Sequence, residues 1–310
     1  MKIRAPAKVN LFLRVVGRRP DGYHLLDTLI VPVSLYDVID IRRIPAKRQQ
    51  PLNPRIRITC DDPTVPLGEE NLAYRAAQLL LKQLDRPTNV DIHIQKRIPI
   101  GAGLGGGSTD AAATLLGLNR LFNLKLSAAR LERLGLRLGT DVPFFIRARP
   151  ARAYGIGEVL RPVRALMRLW LVILYPGFPI ATASVYRKLP KKLTKPTSGN
   201  SIRVSLRRFD RFTDLLVNDL ESVTLESYPK IRSLKEKLLR EGAAGGLMTG
   251  SGSAVFGVFG SKGLAQRAFD RLRNEEGVQT YLVHADHRRQ TSPQCCVVTV
   301  HHGEKLIVCR

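Results

Sequence analysis

A chain of 310 residues with 44% hydrophobic content is long enough for two modest domains, each with a core of its own. Fifty Lys and Arg against 26 Asp and Glu leave a formal net charge of +24, which attracts polyanions without choosing among nucleic acid, anionic membrane and phosphorylated metabolites. Aromatic residues are only 6% and the basic ones are scattered along helices and loops, so no specific nucleic-acid surface is expected. The longest apolar run, residues 169–175, is far short of a membrane span. The stretch 9–16 is interrupted by Asn10 and Arg14 and does not read as a signal segment. Cys60, Cys295, Cys296 and Cys309 make no disulfide framework in a chain this size, which fits a reducing cytoplasm.

In chain order, residues 5–15 alternate apolar positions 9, 11, 13 and 15 with Lys8, Asn10, Phe12 and Arg14, the pattern of a half-buried strand. RRPDG at 18–22 is a turn in composition, followed by Tyr23 and His24 and by two apolar strands, 25–33 and 38–44. Residues 45–54 read as a polar hairpin loop with 55–60 as its return strand. Helical periodicity over 71–84 makes Asn71 either a cap or a nucleotide contact. A strand at 90–94 then leads into PIGAGLGGGST at 99–109.

That stretch organises the rest. Glycines at 101, 103, 105, 106 and 107 let the backbone adopt left-handed conformations and bring bare N–H groups against an anion. The Ala/Leu-rich segment after it predicts a helix over 107–121, whose unpaired N–H groups and positive dipole end would face the same anion. The GxGxxG match at Gly101, Gly103 and Gly106 lacks the second strand and ribose-binding acid of a dinucleotide fold, because 123–127 leads into another helix, 127–138. A Walker A loop would need Lys where Ser108 stands. The loop is a phosphate cradle of a third kind. In LGTDVPFF at 138–145 the chain turns sharply at Asp141, an acid with either a cap to make or chemistry to do.

The segment 153–158 closes the first half and 160–168 crosses to the second. A buried strand at 169–175, a basic surface loop at 187–199 and helices at 212–225 and 229–241 follow. A second small-residue loop, 245–253, is either a tight hairpin or a ligand-facing turn and enters a strand at 254–259. A helix at 264–275 and a strand at 280–284 complete the pattern. The tail 290–310 carries Cys295, Cys296, His301, His302 and Cys309 without zinc-ligand spacing.

Three strings, APAKVNLFLRVVGRRPDGYHLLDTL at 5–29, PIGAGLGGGSTDAAATLLGLN at 99–119 and LMTGSGSAVFGVF at 247–259, together resemble the GHMP small-molecule kinases over about residues 2–285. The first resembles the branch of that family acting on a cytidine-diphosphate-linked polyol. The resemblance implies an α+β two-domain fold. A ribosomal-protein-S5-domain-2-like α/β domain would occupy 1–160 and a ferredoxin-like α+β domain 161–288, with the active site in the cleft and 289–310 an extension of unknown role. It also implies ATP-dependent phosphorylation of the 2-hydroxyl of a cytidine-diphosphate-linked methylerythritol, in the non-mevalonate route to isoprenoid precursors.

Residue by residue, Lys8 and Asp141 match the catalytic pair, and Asn10, Tyr23, His24, Tyr186, Gly250 and Ser251 match substrate-contacting positions. Pro99, Ile100, Gly101, Ala102, Gly103, Leu104, Gly105, Gly106, Gly107, Ser108 and Thr109 would wrap the ATP phosphates, with Asn71 nearby. Ser108 or Thr109 would reach Mg²⁺. A monomer or homodimer with a small-molecule substrate and no membrane partner is expected.

Overall fold

The computed structural model describes residues 1–45, 55–84, 88–163, 166–189, 209–285, 296–301 and 304–309. The expected polar loop at 46–54, the basic loop from 190 onward and the tail's Cys295 and His302 lie outside them. Two sheets and their helices stack in layers. The first sheet has the order β12 (Cys296–His301), β13 (Glu304–Cys309), β1 (Lys2–Arg18), β2 (His24–Ile44), β4 (Asn89–Gln95), β3 (Arg55–Cys60), with β5 (Ala151–Gly155) on β2, β6 (Val159–Pro162) on β5 and β8 (Val217–Asn218) on β1.

Strand β1 (Lys2–Arg18) runs antiparallel to β2 (His24–Ile44) across the turn at 19–23. β2 is one continuous strand where two were expected. Irregularities in the β1–β2 register, one between Pro6 and Ala7, absorb the break in alternation around residues 34–37. β3 (Arg55–Cys60) is not the return arm of a hairpin. It lies parallel to β4 (Asn89–Gln95), which separates it from β2, and α1 (Leu72–Leu81) makes the crossover. The alternation of Val90, Ile92 and Ile94 points one face of β4 into the core beneath α1 and α2 (Gly106–Leu121). Helices α3 (Ala128–Leu136) and α4 (Val142–Arg147) extend that layer, followed by β5 (Ala151–Gly155) and β6 (Val159–Pro162).

The second sheet is built from β7 (Leu169–Tyr175), β9 (Gly245–Met248), β10 (Val255–Phe259) and β11 (Gln279–Ala285) in the antiparallel order β11-β7-β10-β9. Fourth, first, third, second is the ferredoxin-like arrangement that the family resemblance implies. Its helices are α5 (Thr182–Lys188), α6 (Glu221–Ser227), α7 (Pro229–Arg240) and α8 (Lys262–Leu272). One face packs Leu171, Ile173, Phe256 and Val258 against Ala7, Val9 and Leu11 of β1. The other buries Val172 and Val255 against Leu234, Leu238 and Ala268 of α7 and α8.

The helix expected over 212–225 is broken up. A helical turn at Phe209–Phe212 and a 3-10 turn give way to β8 (Val217–Asn218), which pairs with β1 before α6 begins. Asn218 and Asp219 explain the break, because both side chains bond backbone groups outside any helix. Beyond β11 the tail forms β12 (Cys296–His301) and β13 (Glu304–Cys309), with β13 parallel to the start of β1. The β-branched runs on either side of His302-Gly303 were the available signal for these unexpected strands.

Candidate active site

A cavity of about 1030 Å³ lies where β1, the glycine loop, α4, α5 and the β9–β10 hairpin converge. Every residue expected to contact substrate or nucleotide lines it except Leu104 and Thr109. Both are corrections to the expected phosphate wrap, because their side chains are buried in the core. Leu104 contributes a carbonyl instead, accepting the Lys8 N–H at 3.0 Å and tying the loop to β1.

The glycines divide into two groups. Gly101, Gly103 and Gly105 have φ of 63°, 75° and 76°, the left-handed region. Gly106 and Gly107 instead begin α2, one residue earlier than the periodicity predicts. Gly105 stands at the N-cap and supplies no side-chain cap, so the first N–H groups of a sixteen-residue helix are left for a ligand in the cavity. Ser108 follows them in the cavity wall.

Lys8 is buried, with only 5% of its surface exposed. Its Nζ donates to Asn10 Oδ1 at 2.6 Å, and Asn10 Nδ2 donates to Thr28 Oγ1 at 2.8 Å. Asn10 therefore orients the lysine while also lining the cavity in which it was expected to meet substrate. Burial pulls the Lys8 pKa down from its usual value while the charge of Asp141 opposes that shift. The two side chains share the cavity wall without a direct ion pair. Asp141 occupies the N-cap position of α4, yet its carboxylate makes no cap hydrogen bond. Asn71 does the opposite: it caps α1 by accepting from Ala73 N at 2.8 Å and donates to Pro66 O at 2.7 Å, while still bordering the cavity.

At the other end, the His24 and Tyr186 rings lie 5.1 Å apart at 30°. They touch, so no third ring fits between these two. Tyr23, 59% exposed, is the free aromatic surface beside them. Partial burial and then the Arg18 charge lower the His24 pKa, keeping the imidazole neutral near pH 7 with one donor and one acceptor nitrogen. Burial, helped by the charge of Asp141, raises the Tyr186 phenol. Gly250 at φ 56° and Ser251, whose Oγ lies 2.8 Å from Thr182 Oγ1, form the hairpin's rim, so 245–253 is both a tight turn and a cavity wall.

Sequence reasoning missed a buried triad under the loop. Lys96 Nζ donates to Asp37 Oδ2 at 2.7 Å and to Asp110 Oδ2 at 2.6 Å. Asp37 Oδ1 also takes the N–H groups of Arg97 and Ile98 at 2.6 and 2.8 Å, so both ends of the glycine loop are clamped to β2. Burial, with the Asp37 charge adding to it, raises the Asp110 pKa against the pull of Lys96. Asp110, three residues after the last glycine, was the sequence hint.

Among the described residues, no group of three or more His, Cys, Asp or Glu is placed to hold a metal, and no helix is long and apolar enough to cross a membrane. One hydroxyl, Ser108, with Asp110 and Asp141 in the wall, suits a magnesium ion that takes most of its ligands from phosphate and water.

A glycine cradle at a helix N-terminus, facing a buried amine and an uncapped carboxylate between two α+β layers, defines a small-molecule phosphotransferase. Residues 71–149 match the GHMP kinases N terminal domain and 202–279 the GHMP kinases C terminal domain. The 4-diphosphocytidyl-2-C-methyl-D-erythritol kinase of Syntrophotalea carbinolica is 46% identical over 90% of this chain and 96% of its own. That of Geobacter metallireducens is 46% identical over 88% and 94%. A crystal structure of 4-(cytidine 5'-diphospho)-2C-methyl-D-erythritol kinase superposes with a TM-score of 0.78 at 37% identity, covering 92% of this chain and all of that one. Homoserine kinase from Cytophaga hutchinsonii shares the fold at TM-score 0.70 and 18% identity, covering 92% of this chain and 94% of its own. The chain belongs to the GHMP kinases and, within them, to the 4-diphosphocytidyl-2-C-methyl-D-erythritol kinase family, whose co-substrate is ATP.

Proposed function

We propose that this chain transfers the γ-phosphoryl group of ATP to the 2-hydroxyl of 4-(cytidine 5'-diphospho)-2-C-methyl-D-erythritol, giving the 2-phosphate and ADP in the non-mevalonate pathway. The observation that carries the reading is the meeting of Lys8 and Asp141 in one cavity with the N-terminus of α2. The triphosphate lies along the N–H groups of Gly106, Gly107 and Ser108, and Asp37–Lys96–Asp110 holds that loop still. Magnesium, when bound, neutralises charge on the phosphate oxygens, and Ser108 would hold it.

Asp141 accepts the proton of the attacking hydroxyl as its oxygen closes on the γ-phosphorus and the bond to the ADP oxygen breaks. Lys8 keeps a positive charge beside that oxygen and Asn10 fixes where the ammonium points. The cytosine stacks on Tyr23 at the outer edge of the His24–Tyr186 pair, with the neutral imidazole reading its edge. The active pocket works in the cytoplasm as a monomer or homodimer, and the +24 surplus is solvated surface without a specific nucleic-acid or membrane partner.

Asp141→Asn is the direct test. ATP-analogue affinity is retained while turnover of the cytidylated alcohol drops about 10²–10⁴-fold, the usual worth of a positioned base. A loss below tenfold, or equal turnover of an uncytidylated polyol by the parent protein, would overturn this assignment.

A further inference from the structure

Thr249 is fully buried in the turn between β9 and β10 and is not part of the cavity wall. Its hydroxyl nevertheless joins the two halves of the site. Oγ1 accepts the Asn10 N–H at 3.2 Å and donates to Gly103 O at 3.2 Å, with Asn10 Oδ1 more distant at 3.5 Å. Asn10 is the residue that holds the Lys8 ammonium, and Gly103 lies in the phosphate loop.

The turn carrying this hydroxyl is itself pinned. Asn218 donates both amide protons, to Met248 O and Gly250 O, each at 2.8 Å, and accepts Leu220 N–H at 3.0 Å. The carbonyls on either side of Thr249 are therefore fixed from behind. Thr249 N–H goes to Ala254 O at 3.0 Å and its carbonyl accepts Gly252 N–H at 3.0 Å, so no polar group of this residue is left for another task.

We infer that Thr249 is a positioning residue, which sets the distance between the phosphate loop and the catalytic amine by bonding Gly103 and Asn10 with one hydroxyl. The inference rests on the reading of Lys8 given above. It differs from a packing role in a measurable way, because it acts through Lys8.

Thr249→Val keeps the shape and removes the hydroxyl. We expect kcat, followed by transfer of radiolabel from the γ-position of ATP to the cytidylated alcohol, to fall about 10- to 100-fold, the scale of a small misplacement of reacting groups. KM for both substrates stays within about threefold, and Thr249→Ser restores kcat to within about threefold of the parent. In a Lys8→Met background, Thr249→Val costs less than about twofold more, since the group it positions is gone.

A Thr249→Val enzyme within twofold of parental kcat, a Ser variant as poor as the Val variant, or full multiplication of the two losses overturns the inference. Parental kcat in Lys8→Met overturns the Lys8 assignment first and this inference with it. If the Val variant does not fold, Thr249→Ala carries the same expectations.

Discussion

Gly103→Ala asks whether the phosphate loop and the C-terminal hairpin must interlock. Gly103 sits at φ 75°, where a side chain costs about 1–2 kcal/mol. Its Cβ would overlap Thr249 O and stand 3.1 Å from Gly252 O, both backbone atoms of a turn stiffened by Asn218. A flexible side chain cannot move aside here, so backbone must yield, at about 1–3 kcal/mol for overpacking. The sum, roughly 2–5 kcal/mol, corresponds to a Tm lower by about 5–15 °C. A loop displaced by about 1 Å loses on the order of 10²-fold in kcat. Gly107→Ala is the matched control. Its Cβ meets nothing nearer than Leu72 Cδ1 at 3.6 Å, and its place in the first turn of α2 favours Ala by up to about 0.5–1 kcal/mol. That variant keeps or gains Tm while its methyl, in the cavity wall, raises KM for ATP. Thermal unfolding and steady-state kinetics with ADP detection read both. A Gly103→Ala protein with parental Tm and kcat would refute the interlock, as would an equal loss of Tm in Gly107→Ala.

Lys96→Met leaves Asp37 and Asp110 buried side by side without their shared cation, and should destabilise the protein by about 3–5 kcal/mol in denaturant titration. Adding Asp110→Asn should recover part of that loss, and no recovery would remove the electrostatic account. Tyr186→Phe keeps the ring against His24 and should leave KM for the cytidylated substrate within about threefold, whereas Tyr186→Ala raises it at least tenfold by removing a stacking partner worth about 1.5 kcal/mol or more with its buried area. Because the His24 pKa lies below its ordinary value, its protonation begins only on the acid side. KM for the cytidylated substrate should be flat from about pH 7 to 9 and rise only below about pH 6.5, the unperturbed histidine value. A rise that starts above pH 7 would show the imidazole to be already charging there.

Local signals carried some elements and not others, and the reason is sequence distance. Asn71 and Ser127 stand directly before their helices and cap them, so α1 and α3 were legible from neighbours in the chain. The fate of residues 55–60 was not, because a strand's partner is chosen by which faces must be buried together. β4 satisfies β3 and β2 at once, and nothing in 55–60 states that. Residues 212–225 misled for a related reason. Their apolar spacing suits a helix, but Asn218 and Asp219 find acceptors and donors in β1 and the β9–β10 turn, which are remote in sequence.

Reading the glycine run as an anion cradle uses only half of the physics that fixes it. Bare N–H groups offered to an anion account for Gly106 and Gly107, which open α2 toward the cavity. That alone does not account for Gly101, Gly103 and Gly105, which hold left-handed φ and lie against protein. At those positions a Cβ would run into Pro179, Thr249 and Phe145, so the absent side chains make room for protein and not for phosphate. The C-terminal hairpin and the turn before α5 press into that space and bond the loop there, through Ala254 N to Ala102 O at 3.2 Å and Ile180 N to Gly101 O at 3.0 Å. A cradle made only of freely rotating glycines would lose conformational entropy each time it closed on a triphosphate. Packing Gly101 and Gly103 against the second sheet's loops, and Gly105 against Phe145 of α4, meets that cost during folding, which leaves a rigid nest in place before ATP arrives.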